Sequence, residues 1–242
     1  MKAILFRYLP DARQRKLFGL LALSSLFCGA LLLFRMHYTG FDWAKFAHPW
    51  ELRHKRGVTF LFLAWNLFLA WVPYLISTRM GGLRRRWTRG VAFVAWLLFF
   101  PNAPYILTDL LHLRARPEVP HWYDLMLLLS FAWTGLLIGF ASLLRVQDLL
   151  AQWWGGRVTR FTVPLLIILC GYGVFLGRFQ RWNTWDILQR PGALFQDILS
   201  HFTDPLTHSG TLGLAVVMSA FLLLGYYTFR HTVGPPRRGI AG

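Results

Sequence analysis

The stretch Phe99-Phe100-Pro101-Asn102-Ala103-Pro104-Tyr105-Ile106-Leu107-Thr108-Asp109-Leu110-Leu111-His112 puts an amide, a phenol, a carboxylate and an imidazole inside an otherwise apolar run. At helical pitch Asn102, Tyr105, Asp109 and His112 share one face. Such a face can bind a polar ligand: the amide and the phenol hydrogen-bond, and the carboxylate accepts a proton or holds a cation. A carboxylate withdrawn from water becomes a better base, so Asp109 is the candidate general base. Asp109 and His112 are spaced i, i+3 and could both contact one ion, with Asp124, Asp186 or His121 completing it. No diagnostic metal motif is present, and the residues name no cofactor. All eight histidines lie at or beyond the ends of the apolar runs, which does not suit a bis-His haem held at depth.

Other polar residues join this face once the spans are placed. Asn66 lies in the preceding apolar run, about 12 Å below the same boundary as Asn102 by helical rise. Asn66 and Asn102 are expected to bond each other or the carbonyls freed by proline. Pro101 and Pro104 lack an N–H, so the carbonyls of Leu97 and Phe100 lose their helical partners. In hydrocarbon those groups must be satisfied within the protein. Asp124 starts the next apolar run and is a second candidate for catalytic negative charge. Arg178 and Arg181 can hold anionic groups such as phosphate. Asn183 and Asp186 are candidate ligand contacts that also read as an N-cap and its N3 acid. The opposite half of the spans carries almost nothing comparable.

The elements that must position these residues are membrane helices. Of the 242 residues, 55% are hydrophobic and 15% charged; a soluble domain carries about 25% charged residues. Apolar runs at about 17–36, 58–78, 91–110, 122–144, 161–177 and 210–229 are each near the length that crosses a bilayer. The fold class is all-α: a polytopic transmembrane helical bundle of about six spans. It forms a single membrane domain over 1–232, followed by a disordered cytoplasmic tail at 233–242. Within Pro191–Thr203, Leu194, Phe195, Ile198, Leu199 and Phe202 recur at helical spacing, which predicts a short amphipathic helix on the membrane interface in the last outer loop. The Phe41–Gly57 loop, with Trp43, Phe46 and Trp50, is a second candidate for such a helix.

Net charge is +16. No nucleic-acid-binding pattern accompanies it, and the basic residues flank spans, so they set orientation. The N-terminal tail, the short loop with Arg84-Arg85-Arg86, the segment Arg145–Arg160 and the C-terminal tail hold the denser share. Both termini are therefore expected on the cytoplasmic side. Cys28 and Cys170 both lie inside apolar runs and read as packing residues. Gly135-x-x-x-Gly139 and Gly173-x-x-x-Gly177 allow close helix approach within the molecule.

The runs Phe62-Leu63-Ala64-Trp65-Asn66-Leu67-Phe68-Leu69-Ala70-Trp71-Val72-Pro73-Tyr74 and Phe99 through Leu110, the start Trp122-Tyr123-Asp124, and Gly177-Arg178-Phe179 with Arg181-Trp182-Asn183-Thr184-Trp185-Asp186 together resemble an uncharacterised bacterial family of multi-span membrane proteins. The resemblance covers about residues 58–190. It implies a multi-pass protein of the bacterial inner membrane and carries no activity, cofactor or catalytic residue with it.

The reading that follows is a membrane protein with an outer-leaflet-facing polar pocket for a small polar ligand or a lipid or sugar headgroup. Asn66, Asn102, Tyr105, His112, Arg178, Arg181, Asn183 and Asp186 would bind that ligand. Asp109 and Asp124 would be the catalytic pair if the site acts on a membrane-bound substrate. The alternatives are a carrier or channel subunit and a non-catalytic scaffold or assembly partner. The partners expected are the lipid bilayer and such a lipid or small polar ligand, with no nucleic acid.

Overall fold

The computed structural model describes residues 12–40, 60–203 and 209–233. The Phe41–Gly57 loop and the tail beyond Val233 lie outside the described residues. The described secondary structure is helical: α1 (Ala12–Tyr38), α2 (Leu61–Met80), α3 (Arg86–Phe99), α4 (Asn102–Tyr105) running into a 3-10 helix (Ile106–His112), α5 (His121–Trp154), α6 (Gly156–Phe179), α7 (Asp186–Gln189), α8 (Pro191–Thr203) and α9 (Ser209–Val233). Six segments are long and apolar enough to cross a membrane: 12–38, 61–80, 86–112, 121–154, 156–179 and 212–233. The chain is a multi-pass, all-α membrane protein, as its apolar runs predict.

Two boundaries move. A loop was expected over Arg145–Arg160, but α5 continues to Trp154 and α6 begins at Gly156. Gln147, Leu149, Leu150, Ala151 and Gln152 are good helix formers, and no proline or glycine interrupts them. The reversal is left to Gly155, whose φ of 83 a side chain would resist. The short basic loop likewise contracts, because α3 already starts at Arg86.

The chain divides into two compact units between Gly139 and Phe140, within α5. In the first unit, α2 packs on α3 and on the broken segment that follows it. The break has the cause read from the prolines, and Asn102 takes a backbone carbonyl as one expected alternative has it, though that of Phe99 and not of Leu97 or Phe100. The Ala103 amide bonds the Phe100 carbonyl at 3.2 Å, and the Asn102 side-chain amide donates to the Phe99 carbonyl at 3.0 Å. Thr108 Oγ1 then donates to the Tyr105 carbonyl at 2.7 Å. Asn102, between the prolines, thus serves a backbone carbonyl at the break, as hydrocarbon requires.

Gly135 and Gly139 of α5 receive this segment. A Cβ at Gly135 would lie 2.8 Å from the Ala103 carbonyl oxygen and 2.7 Å from Ile106 Cδ1, and one at Gly139 would lie 3.0 Å from Ala103 Cβ. The small-residue pair is therefore an intramolecular seat, as expected. On α1, Ser24 and Thr134 share a hydrogen bond at 2.6 Å and Cys28 Sγ lies 3.4 Å from the same threonine hydroxyl. Tyr123 Oη donates to the Leu31 carbonyl at 2.7 Å.

In the second unit α6 packs along α9, and Gly171 sits at a close approach: a Cβ there would lie 3.0 Å from the Ser219 amide. Phe140, Tyr226 and Phe229 form an aromatic cluster. The predicted amphipathic helix is present as α8, yet its sides are unlike a soluble helix's. Phe195 and Leu199 are exposed, while His201 is buried, and Asp197 accepts from Trp182 Nε1 at 2.6 Å.

Candidate functional site

The 3-10 geometry that follows the prolines decides where Asp109 points. With three residues per turn, Ile106, Asp109 and His112 fall in one line. Asn66 of α2 donates to Asp109 Oδ2 at 2.7 Å. His112 Nδ1 lies 3.9 Å from Asp109 Oδ1 and 3.3 Å from the Asp109 carbonyl. A carboxylate near a helix C-terminus is disfavoured by the helix dipole; here an amide donor and an imidazole offset that. Of the two expected alternatives, the asparagines do not pair: Asn66 meets Asp109, and Asn102 takes a backbone carbonyl. The reason is the break itself, which turns Asn102 onto the backbone at Phe99.

Asp124, in the first turn of α5, is held from two sides. Arg35 Nε donates to Oδ1 at 2.7 Å and its Nη2 to Oδ2 at 3.2 Å. Arg116 Nη1 donates to Oδ2 at 2.9 Å. Both guanidiniums also lie over the ring of Phe60, at 4.4 Å for Arg35 and 4.6 Å for Arg116. Phe60 is buried with φ 53, a left-handed conformation that costs a bulky residue roughly 1–3 kcal/mol. The surrounding cations and helix ends therefore hold it in place.

The two clusters touch through rings. Phe60 stacks edge-on with Phe62 at 5.8 Å, and Phe62 meets the His112 imidazole at 4.9 Å. Asn66, Asp109, His112, Phe62, Phe60, Arg116, Asp124 and Arg35 thus form one connected constellation at one end of the first unit. Its charges are layered. The Asp109 and Asp124 side chains are 2% and 1% exposed, whereas those of His112 and Arg116 are 39% and 18% exposed. Tyr105 is half-buried one turn before Asp109.

Arg178, Arg181, Asn183 and Asp186 belong to the second unit. Arg178 is half-buried in the last turn of α6, and Arg181 is exposed with φ 60. Asn183 and Asp186 do meet, with Asp186 Oδ2 accepting from the Asn183 backbone N–H at 2.7 Å and from its side chain at 3.3 Å. They are not N-cap and N3 acid, because the helix begins at Asp186 itself with Trp185 before it. Arg190 Nη2 donates to Asp186 Oδ1 at 3.3 Å. The Asn183 N–H, with Arg190 behind it, holds the Asp186 carboxyl below the ordinary carboxylate value. Nearby, His201 has Tyr172 Oη 3.0 Å from Nδ1 and Gln180 Nε2 3.3 Å from Nε2.

Sequence reasoning placed Arg35 and Arg116 among the orientation charges and left Phe60, Asp197 and His201 out of the site. The signal available for Arg35 was its position only a few residues before the end of an apolar run. On the extended part of α5, Gln147 is buried; its carbonyl accepts from Arg230 at 2.8 and 2.9 Å and its amide nitrogen faces the Tyr226 hydroxyl. A groove on α9, lined by Leu223, Leu224, Tyr227, Thr228, His231 and Thr232, contains no candidate residue. Among the described residues no three His, Cys, Asp or Glu side chains stand together as a metal site would need.

A family model described as "Protein of unknown function (DUF1361)" matches residues 65–224. No curated protein and no solved structure matches the chain.

Proposed function

The chain belongs to the DUF1361 family of proteins of unknown function, and we propose from its own residues that the first unit binds the polar headgroup of a membrane-borne molecule. His112 is the group that meets it. The observation that carries this reading is the order Asn66, Asp109, His112: an amide fixes a buried carboxylate, which lies behind a partly exposed imidazole. The imidazole stabilises the carboxylate, and because it is also accessible it can donate or accept at the surface while Asp109 orients it.

Asn102 and Tyr105 keep the broken segment in shape, and Asp124 holds Arg116. Catalysis on the bound molecule would use Asp109 or His112 for proton transfer, since both oxygens of Asp124 already accept from arginines. Arg178, Arg181, Asn183 and Asp186 are not needed for this reading. The family resemblance implies a bacterial inner membrane, and the basic-residue pattern supports both termini cytoplasmic, which would place the constellation at the outer leaflet.

Mass spectrometry of lipids that remain bound after purification tests the reading. Wild type should retain a discrete lipid class, and His112→Gln should lose it while accumulating as folded protein. Asp109→Asn, which keeps the shape and removes the charge, should lose it too. Equal retention by all three would contradict the proposal. Failure of both variants to accumulate, with wild type retaining no discrete class, would favour a scaffold in which these residues only pin helices.

A further inference from the structure

Resting on the headgroup reading, we infer that the ligand is a phosphate-type anion and that Arg116 selects it. The layering of charge is the argument. An approaching group meets the His112 imidazole and the Arg116 guanidinium, 39% and 18% exposed, before it meets either carboxylate. Coulomb energy falls with distance, so the Arg116 cation, nearer the surface than either carboxylate, dominates what the surface attracts, and the His112 imidazole adds a hydrogen-bonding group beside it.

Arg116 is also fixed before any ligand arrives. Its Nη1 is held on Asp124 Oδ2 at 2.9 Å, and its guanidinium lies 4.6 Å from the centre of the Phe60 ring. Arg35, itself fully buried, holds the same carboxylate from the opposite side at 2.7 Å. A planar fork on such a support loses little freedom on binding and matches two oxygens of a tetrahedral anion better than an ammonium would. Arg35 and Asp124 are then positioning residues and Arg116 the contacting one. The chemistry is shared by a lipid phosphodiester and by free phosphate.

The test uses the full chain in a non-ionic detergent and reads dissociation constants from thermal shift. Three probes are compared: inorganic phosphate, mixed micelles with phosphatidylglycerol, and mixed micelles with a neutral glycosyl diacylglycerol. Variants are Arg116→Gln, Arg116→Lys as the charge-keeping form, and Arg84→Gln in the distant basic loop. At least one phosphate probe should bind, with Arg116→Gln weakening it tenfold or more, Arg116→Lys weakening it less, and Arg84→Gln leaving it unchanged. Phosphatidylglycerol alone would identify a lipid source, inorganic phosphate alone a free one, and both a site that reads only the anion. Neutral glycolipid bound equally by wild type and Arg116→Gln, with no response to either phosphate probe, would overturn the anion assignment and leave the headgroup reading standing. So would equal losses in Arg84→Gln and Arg116→Gln. Binding of no probe, with His112→Gln also without effect on retained lipid, would overturn both.

Discussion

Arg35 and Asp124 are 89 residues apart in sequence and 2.7 Å apart in space. No spacing rule links them, which is why the pair was illegible: each residue separately has an ordinary reading, a flanking cation and a first-turn acid. Stranding one partner of a buried pair costs about 3–5 kcal/mol, which bounds the loss here because Asp124 would keep Arg116. Arg35→Met should therefore unfold markedly earlier in detergent, and Arg35→Met with Asp124→Leu should recover much of the loss; equal losses in the single and double variants would refute the pairing. Asp186 gives a prediction of a different kind. Its folded pKa lies below the ordinary 3.8, so its contribution is full at neutral pH and is lost as pH falls through the depressed value. Unfolding temperature measured from pH 6 downward should fall below about pH 4, and less steeply in Asp186→Asn. By contrast with Arg35, the Asn183 and Asp186 contact was legible, because an i, i+3 relation is local and has a fixed spacing, although the helix starts at Asp186 and not after Asn183.

The third span is where local and tertiary structure meet. Its break could be read from Pro101 and Pro104 because a missing N–H is a property of the residue alone. What filled the gap could not, since a freed carbonyl can take an i+3 amide, a side chain or a neighbour. Nor does a helical wheel survive the change to 3-10 pitch: Asp109 and His112 stay aligned, but Asn102 turns to its own backbone at Phe99. The seat for this segment predicts a graded series. Gly135→Ala sets a methyl against a backbone carbonyl at 2.8 Å and should cost roughly 1–3 kcal/mol by overpacking. Gly139→Ala, at 3.0 Å from a side-chain methyl, should cost less. Gly90→Ala in α3, with nothing within 4 Å, should be neutral or favourable. Unfolding of the three variants in one detergent checks the order, and equal effects would show that the close approach is not what the glycines serve.

At the scale of the molecule the six spans were the most legible feature, because a run of apolar residues of bilayer length admits few other structures. Their ends were less so. Arg145 and Gln147 lie on helix, not in a loop, since polarity marks the membrane boundary and not the end of hydrogen bonding. The orientation argument predicts that single cysteines placed in the Arg84–Arg86 turn and in the C-terminal tail react only with reagents on the cytoplasmic side, while one at Glu118 reacts from the other. Matching accessibility of all three would contradict it.

The central claim is that a ligand's headgroup sits against His112, with Asp109 behind it and Arg116 beside it. An experimental structure of the full chain in lipid nanodiscs measures this directly. Headgroup-sized density in contact with both the His112 imidazole and the Arg116 guanidinium is the predicted result. Side chains of the protein itself packed over both groups, leaving no room for a ligand, would contradict the account.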